Sequence, residues 1–198
     1  LDDSFLDPKA FNKESVIGVP GLFKCWRKGN VGILNAIGTG VADDKVVYSY
    51  VNKMIVYYLG EQPILNQVET YLCHEKIQRD YVIDNISKLV VKPANASGGY
   101  GIMIGPKAPL KERQEVINKI KKNPREFIAQ PLEILSTAPT ITENDIEPRH
   151  LDLRPFVLSG KTSYVTTGGL TRVALRKGST IVNSSQGGGS KDTLIVDM

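Results

Sequence analysis

The order of periodic segments predicts an α+β or mixed α/β fold for this chain of 198 residues. Helical spacing of apolar residues dominates residues 43–85, whereas short apolar runs typical of strands dominate residues 126–196. Helices that precede a strand-rich half are typical of the α+β class. Eight of the 18 glycines fall into three clusters, which indicates loops where another group closely approaches the backbone.

The composition is that of an ordinary globular protein. Hydrophobic residues make up 41% of the chain and charged residues 23%. No apolar run of 18 residues occurs, so we expect no membrane partner. The two cysteines argue against a disulfide framework and indicate a reducing, cytoplasmic location. The net charge of +4 favours anionic partners, but residues 107–125 have the spacing of a solvated helix face rather than of a nucleic-acid site.

Turn residues and apolar spacing predict the first elements. Pro20 begins a short helix that Gly29 ends. The apolar run 31–34 predicts a buried strand. Asp43 or Asp44 then caps a long helix. The apolar face of that helix consists of Val47, Tyr50, Val51, Met54, Ile55, Tyr58 and Leu59.

The middle of the chain combines helices with strands. Residues 74–85 predict a helix, and residues 89–91 and 102–104 predict strands on either side of the first glycine cluster. Pro109 begins a further helix that runs to Lys122. The buried stripe of this helix consists of Val116, Ile117 and Ile120.

The last third of the chain predicts short strands separated by loops. The strand-like segments are residues 126–134, 151–158, 163–166, 171–175, 181–182 and 194–196. Residues 136–148 predict a polar loop bounded by prolines. Residues 183–192 predict a flexible polar loop, with a surface linker as the alternative.

The first glycine cluster, Gly98, Gly99 and Gly101, follows a strand that carries Lys92. A P-loop is excluded because this lysine precedes the glycines and an apolar, strand-like run follows them. A strand, a glycine loop and a second strand instead predict a hairpin whose tip can fold over phosphates, since small residues leave backbone N–H groups accessible to oxygen. Lys92 adds a positive charge for the same anion. The alternative is a plain glycine-rich turn.

Two further segments bring arginines onto strands. Asp152 and Arg154 are two residues apart, so alternation places both on one face of the predicted strand. An inward-facing arginine needs an anion, and the alternative is a local pair with Asp152. Arg172 follows the second glycine cluster, Gly168 and Gly169. Together with Lys45 and Lys92, these two arginines form a set of cations that suits a triphosphate.

The order of these segments resembles the ATP-grasp superfamily. More closely, it resembles the circularly permuted ATP-grasp ligases that are related to glutathionylspermidine synthetase. The stretches that carry the resemblance cover nearly the whole chain; they are residues 5–8, 30–45, 89–101, 127–130, 135–139, 153–156, 168–174 and 185–192.

The resemblance implies an α+β fold of two small lobes that clamp a nucleotide, incomplete in this chain. It divides the chain into three parts. Residues 1–86 correspond to a region of helices and strands that leads to the hinge, residues 87–135 to a subdomain with the glycine lid, and residues 136–198 to a strand-rich subdomain for phosphate and acceptor.

The resemblance also implies nucleotide-binding residues. Lys45 and Lys92 match the lysines that contact phosphate. Residues 97–101 match the flexible loop that closes over the phosphates, and residues 130–133 match the hinge that contacts adenine through its backbone. The loop and the hinge contribute Ser97, Gly98, Gly99, Gly101, Gln130, Leu132 and Glu133.

Catalytic roles follow from the same resemblance. Arg154 and Arg172 match the arginines that steady the transferred phosphate and the acyl-phosphate. Asn183 matches a loop near the acceptor. ATP-grasp enzymes bind Mg²⁺ through an Asp and a Glu-x-Asn pair, which are hard oxygen ligands. No Glu-x-Asn occurs in this sequence, so we assign no metal ligand here and expect the magnesium ligands to lie outside this chain.

The implied function is ATP-dependent ligation of a small carboxylate to an amine or a thiol through an acyl-phosphate. We expect this chain alone to bind nucleotide weakly and to be inactive, as a fragment that lacks the metal-binding strand. One alternative is a non-catalytic nucleotide-binding or scaffold module of the same fold. The other is a basic RNA-binding domain, which predicts salt-dependent RNA retention without any effect of nucleotide.

Overall fold

A computed structural model describes residues 3–34, 37–96, 99–143, 145–180, 182–183 and 187–194. These residues form two compact units. Unit 1 comprises the described residues within Leu1–Asn95 and Met103–Pro131, and unit 2 those within Ala96–Ile102 and Leu132–Met198. In the part of the chain described here, no helix has both the length and the apolar character needed to cross a bilayer.

Unit 1 begins with short helices. The predicted helix after Pro20 is confirmed as α1, Leu22–Arg27. The strand predicted for residues 31–34 is wrong: these residues form no strand, and Leu34 is 92% exposed. A strand this short needs a neighbour to pair its backbone groups, and within the described residues no strand pairs with this run.

The predicted long helix is divided into α2, Lys45–Tyr48, and α3, Val51–Leu59. Asp44 caps α2 by accepting the Val46 N–H at 2.7 Å, as its sequence position predicts. Ser49 ends α2 because its backbone N–H and its hydroxyl both donate to the Val46 carbonyl, at 3.1 and 2.7 Å. This tighter turn competes with the helical hydrogen bonds that would continue α2.

Four antiparallel strands form the sheet of unit 1. They are β1, Tyr71–Leu72; β2, Leu89–Pro93; β3, Met103–Ile104; and β4, Phe127–Pro131. Their order across the sheet is β1-β4-β2-β3. The hairpin predicted around the first glycine cluster is confirmed, because Val90 pairs with Ile104 and Val91 with Met103.

Two helices cover one face of this sheet. They are α4, Lys76–Asp84, and α5, Leu110–Lys122, and both confirm the helices predicted from apolar spacing. The core between helices and sheet consists of Cys73, Val82, Ile86, Leu89, Val91, Met103, Ala108, Val116, Ile120 and Ala129. Gly105 lies at a point of close approach, since a Cβ there would lie 2.0 Å from the Ile86 carbonyl oxygen.

Unit 2 contains a second antiparallel sheet of four strands in sequential order. They are β5, Thr137–Ile141; β6, Ile146–Ser159; β7, Ser163–Ala174; and β8, Gly188–Leu194. The loop predicted for residues 136–148 is therefore wrong over most of its length. A tight turn replaces it, in which the N–H and hydroxyl of Thr142 donate to the Asp145 carbonyl at 2.8 and 2.7 Å.

The strands predicted at 163–166 and 171–175 are one continuous strand, β7, because Gly168 and Gly169 pair with β8. Val182 lies outside any strand, and Ile181 lies outside the described residues. Leu194 ends β8, while the rest of the strand predicted at 194–196 lies outside the described residues.

Two glycines of the third cluster, which is Gly187, Gly188 and Gly189, belong to a strand rather than to a loop, and Gly187 lies in the turn before it. The loop predicted for residues 183–192 is wrong from Gly188 onward, where β8 begins. A Cβ at Gly188 would lie 2.2 Å from the Val182 carbonyl oxygen, and one at Gly189 would lie 2.9 Å from the Leu175 side chain. Glycine therefore allows a close backbone approach here, which composition alone does not distinguish from flexibility.

Candidate functional site

Polar side chains occupy the sheet face of unit 1 that lies opposite α4 and α5. Val91 and Ala129 point into the core beneath those helices. Because strand residues alternate between faces, Lys92 and Gln130 belong to the other face. The register supports this assignment, since Val90 pairs with Gln130 and Lys92 is two residues from Val90. The fold thus brings together a predicted phosphate-binding lysine and a predicted hinge residue.

A chain of hydrogen bonds connects three side chains on this face. The Lys92 Nζ donates to the Gln130 Oε1 at 2.6 Å. The Gln130 Nε2 donates in turn to the Thr70 Oγ1 at 2.8 Å, and the Thr70 hydroxyl donates to the Val68 carbonyl at 3.0 Å. Gln130 is only 7% exposed, so its carboxamide depends on these partners.

Lys45 lies beside the end of the same strand. As the first residue of α2, it donates its backbone N–H to the Ala94 carbonyl at 2.9 Å. The Lys45 Nζ contacts the same carbonyl oxygen at 3.5 Å. These contacts fasten the beginning of α2 to the residue that follows β2. Lys45 and Lys92 are therefore held in one region of unit 1, as the sequence predicts.

The two ammonium groups share an unfavourable environment. Burial lowers the pKa of Lys45, while the negative charges of Asp44 and Asp43 act in the opposite direction. Burial also lowers the pKa of Lys92, and the positive charge of Lys45 lowers it further. Partly buried like charges raise the free energy of the unliganded protein, and a bound anion would relieve that cost. The arrangement is suited to binding a polyphosphate.

The predicted glycine lid is described only in part. Ser97 and Gly98 lie outside the described residues. Gly99 and Gly101 adopt φ values of 81° and 71° in a turn, a left-handed conformation that favours glycine. Tyr100 between them is 71% exposed. The lid role of this segment stays a prediction.

The predicted hinge begins within β4. The backbone of Gln130 belongs to the sheet, opposite Val90, and β4 ends at Pro131. Leu132 and Glu133 come next and are exposed. The contact between this hinge and adenine stays a prediction, whereas the Gln130 side chain has partners that the sequence did not indicate.

In unit 2, Asp152 and Arg154 share one face of β6, as alternation predicts. The Arg154 Nε and Nη2 donate to the Asp152 Oδ2 at 3.1 and 2.8 Å. This geometry agrees with the local pair that the sequence left open as an alternative. The second Asp152 oxygen, Oδ1, is buried and has no hydrogen-bond partner in the part of the chain that the structure describes.

The register of unit 2 adds Arg172 to the same face. Arg172 on β7 pairs directly with Asp152 on β6 and with Ser190 on β8. Directly paired residues point to the same side of a sheet. The two predicted catalytic arginines and one carboxylate therefore lie on one surface of three strands, where they can contact an anionic group.

Asn183 precedes β8 and is half-buried. Its backbone carbonyl accepts the Gly188 N–H at 3.0 Å. The acceptor role that was assigned to Asn183 stays a prediction.

Sequence reasoning missed two polar residues with defined partners. Thr70 precedes β1, a strand that was not predicted, although the β-prone run from Val68 to Cys73 is a signal for it. Arg149 is 6% exposed and donates to Glu147 at 2.6 Å and to the Leu175 carbonyl at 3.1 Å. Arg149 connects β6 to the end of β7 and has a structural role.

The described residues contain no group of three or more His, Cys, Asp or Glu side chains that could hold a metal ion. We therefore assign none of the described residues to the magnesium ion that the resemblance implies.

Comparison with known proteins identifies the family. The profile described as circularly permuted ATP-grasp type 2 matches residues 1–174. The chain belongs to this family. An uncharacterized protein of Synechocystis is 55% identical over 197 residues, which make up 99% of this chain and 41% of that protein. An uncharacterized protein of Mycobacterium tuberculosis strain H37Rv is 53% identical over 99% of this chain and 36% of its own length.

A third relative carries a functional name. A Frankia casuarinae protein named "Putative glutamate--cysteine ligase 2-2" is 51% identical over 179 residues, which make up 90% of this chain and 21% of that protein. The permuted ATP-grasp chain thus spans about two fifths or less of the length of these curated relatives.

Proposed function

We propose that this chain is the nucleotide-binding part of an ATP-dependent ligase that joins a carboxylate to an amine or a thiol through an acyl-phosphate. Membership of the ATP-grasp family supports the use of ATP, and the ligase name of the Frankia relative supports the reaction class. The observation that carries the proposal is the pair of partly buried lysines, Lys45 and Lys92, held in one region of unit 1.

In this proposal the two lysines bind the phosphates of ATP, and a polyphosphate compensates the charges that burial disfavours. The lid, residues 97–101, contributes Ser97, Gly98, Gly99 and Gly101 to the phosphates. The hinge contributes Gln130, Leu132 and Glu133 near adenine. These assignments follow the resemblance residue by residue.

Arg154 and Arg172 are proposed to stabilise negative charge on the transferred phosphoryl group, and Asn183 to act near the acceptor. Stabilisation of developing charge by fixed cations is the main contribution that a protein makes to phosphoryl transfer. We derive no step through magnesium from the described residues. The Frankia name gives no substrate for this chain, because the chain covers only 21% of that protein.

Nucleotide-dependent stabilisation tests the binding step. We expect ATP to raise the melting temperature of the 198-residue chain, since a ligand at a hundred times its Kd stabilises a protein by about 2.7 kcal/mol. Lys92→Met should abolish the shift. The matched control is Lys88→Met, which removes an exposed lysine just before the same strand, and it should keep the shift. An equal response of both variants to ATP would contradict the proposal.

Turnover tests the reaction. We expect the whole protein to release ADP when it is supplied with ATP, an acid and an amine or thiol from matched panels. Nucleotide binding by the whole protein with no ADP release under any combination would favour the non-catalytic module instead. ADP release by this chain alone would contradict the expectation that the 198 residues are inactive by themselves.

A further inference from the structure

We propose that Thr70 is a positioning residue that orients the Gln130 carboxamide so that its oxygen faces Lys92 and holds the ammonium group in place for an anionic ligand. This inference rests on the proposed function, because it deepens the lysine site of unit 1. The observation that carries it is the directed chain of hydrogen bonds from Lys92 through Gln130 and Thr70 to the Val68 carbonyl.

The direction of this chain follows from what each group can donate. The Thr70 hydroxyl has one hydrogen, which it donates to the Val68 carbonyl. Its oxygen is then left as an acceptor, and it receives the Gln130 Nε2 at 2.8 Å. The Gln130 Oε1 must therefore point the other way, where it accepts the Lys92 Nζ at 2.6 Å. The Val68 carbonyl, acting through Thr70, and the Lys92 ammonium, which has donors only, thus favour the same orientation of this buried amide.

The reversed amide would be costly. It would direct the Gln130 NH₂ group at the Lys92 ammonium, so two donors would face each other without an acceptor. Gln130 is 7% exposed, so water has little access to compensate. Lys92 also experiences the positive charge of Lys45, and the Gln130 oxygen is the acceptor that offsets this repulsion.

The backbone makes the arrangement rigid. Tyr71 of β1 pairs with Ala129 of β4, so Thr70, the residue before β1, is next in register to Gln130. Side chains at such positions lie close together on one face of the sheet. Thr70 and Gln130 are 60 residues apart in sequence, and Gln130 and Lys92 are 38 apart.

The test compares Thr70→Val, which keeps the shape but removes the hydroxyl, with Thr70→Ser, which restores it. We expect Thr70→Val to raise the Kd for ATP by about tenfold, because the freed Gln130 carboxamide then loses its hydrogen bond to the charged Lys92 ammonium. Thr70→Ser should bind ATP as the parent chain does. Thr137→Val removes an exposed hydroxyl in β5 and should leave the Kd unchanged.

A second readout does not require nucleotide. The pKa of Lys92, followed by NMR of its side chain, should fall further in Thr70→Val and return in Thr70→Ser. Lys45 is the charged group that acts on Lys92, and Asp43 and Asp44 act on Lys45, so those residues stay unchanged in every variant. A purely structural role would lower the melting temperature without changing this pKa. If Thr70→Val does not fold, Thr70→Ala provides the same comparison.

The outcomes separate the two proposals. A Thr70→Val chain with the parental Lys92 pKa and the parental Kd for ATP would overturn the positioning role and leave the proposed function intact. A whole protein that does not bind ATP would contradict the proposed function. In that case the Lys92 pKa in Thr70→Val still decides whether Thr70 orients Gln130.

Discussion

Lys92 combines a structural cost with the binding role proposed for it. Its strand places it on the polar face of the sheet, where burial and the charge of Lys45 both lower its pKa. The sequence predicted this lysine because it precedes a glycine loop. The sequence did not predict Thr70 beside it, because nothing local connects residue 70 with residues 92 and 130.

The lysine site predicts a pH dependence of nucleotide affinity. A bound polyphosphate would raise the pKa of Lys92 and Lys45. Binding should therefore take up protons at a pH between the pKa of these lysines in the free protein and their higher pKa in the complex. Affinity should therefore fall as the pH rises through the lowered pKa of Lys92, which lies below the usual 10.5.

Calorimetry of ATP binding in two alkaline buffers with different ionisation enthalpies measures this proton uptake. Asp43 and Asp44 oppose the shift of Lys45, so the chain retains both carboxylates in the comparison. Lys88→Met should take up as many protons as the parent chain. No net uptake at alkaline pH would show that the two lysines do not face the bound anion.

Asp7 predicts a second pH effect, on stability. Its carboxylate is 1% exposed and accepts the backbone N–H groups of Lys9, Gly21 and Phe23 at 2.8, 2.9 and 3.0 Å. Burial by itself raises the pKa of Asp7, but these hydrogen bonds outweigh it and lower the pKa below 3.8. The carboxylate therefore stabilises the fold above pH 3.8, and this contribution is lost as the pH falls through the lowered pKa.

Asp7→Asn isolates this contribution because it keeps the shape of the side chain but removes one acceptor oxygen. We expect the variant to have a lower free energy of unfolding than the parent chain at pH 7, and the difference to shrink in acid. Urea titrations at several pH values measure this. A difference that is the same at pH 7 and pH 3 would argue against the assigned role of the carboxylate.

Among the secondary-structure elements, those with a clear apolar period along the chain were predicted correctly. The helices α4 and α5 were predicted because their apolar stripes repeat every three to four residues, and these stripes pack on the sheet. The run 31–34 has the composition of a strand but no partner among the described strands. The segment that forms β8 is a strand without the composition of one. Its glycines carry no alternating side chains that would indicate a strand.

Gly188→Ala tests whether β8 depends on the close approach between the Gly188 backbone and the Val182 carbonyl. An added Cβ would lie 2.2 Å from the Val182 carbonyl oxygen, so the strand must move away from its neighbours. We expect a loss of about 1–3 kcal/mol in the free energy of unfolding, as overpacking typically costs. Gly168→Ala is the control, because a Cβ there meets nothing within 4 Å. Equal stability of the two variants in chemical denaturation would contradict this account.

At the scale of the whole molecule, the candidate residues divide between the units. Lys45 and Lys92 belong to unit 1, and Arg154 and Arg172 belong to unit 2. We therefore expect substitutions of the lysines and of the arginines to change different kinetic constants of the whole protein. With the proposed roles, Lys92→Met should mainly raise the KM for ATP, since it would weaken ground-state binding. Arg172→Met should lower kcat by about a hundredfold, since it would remove a cation from the transition state.

Steady-state ADP release with saturating acid and amine or thiol measures both constants. Lys177→Met is a suitable control, because it changes an exposed lysine of unit 2 that pairs with Glu147. A fall in kcat without any change in KM for Lys92→Met would assign the lysine to the chemical step instead of to binding.

Local sequence patterns were enough to predict the helices α4 and α5, the hairpin of β2 and β3 and the lysine that precedes the glycine loop. Each of these features depends on residues close together in the chain. The family also follows from the sequence, since ordered motifs cover most of its length. The hydrogen-bonded chain of Thr70, Gln130 and Lys92, by contrast, became visible only in the folded structure. Antiparallel pairing brings together side chains that are 38 and 60 residues apart, and no local pattern encodes that register.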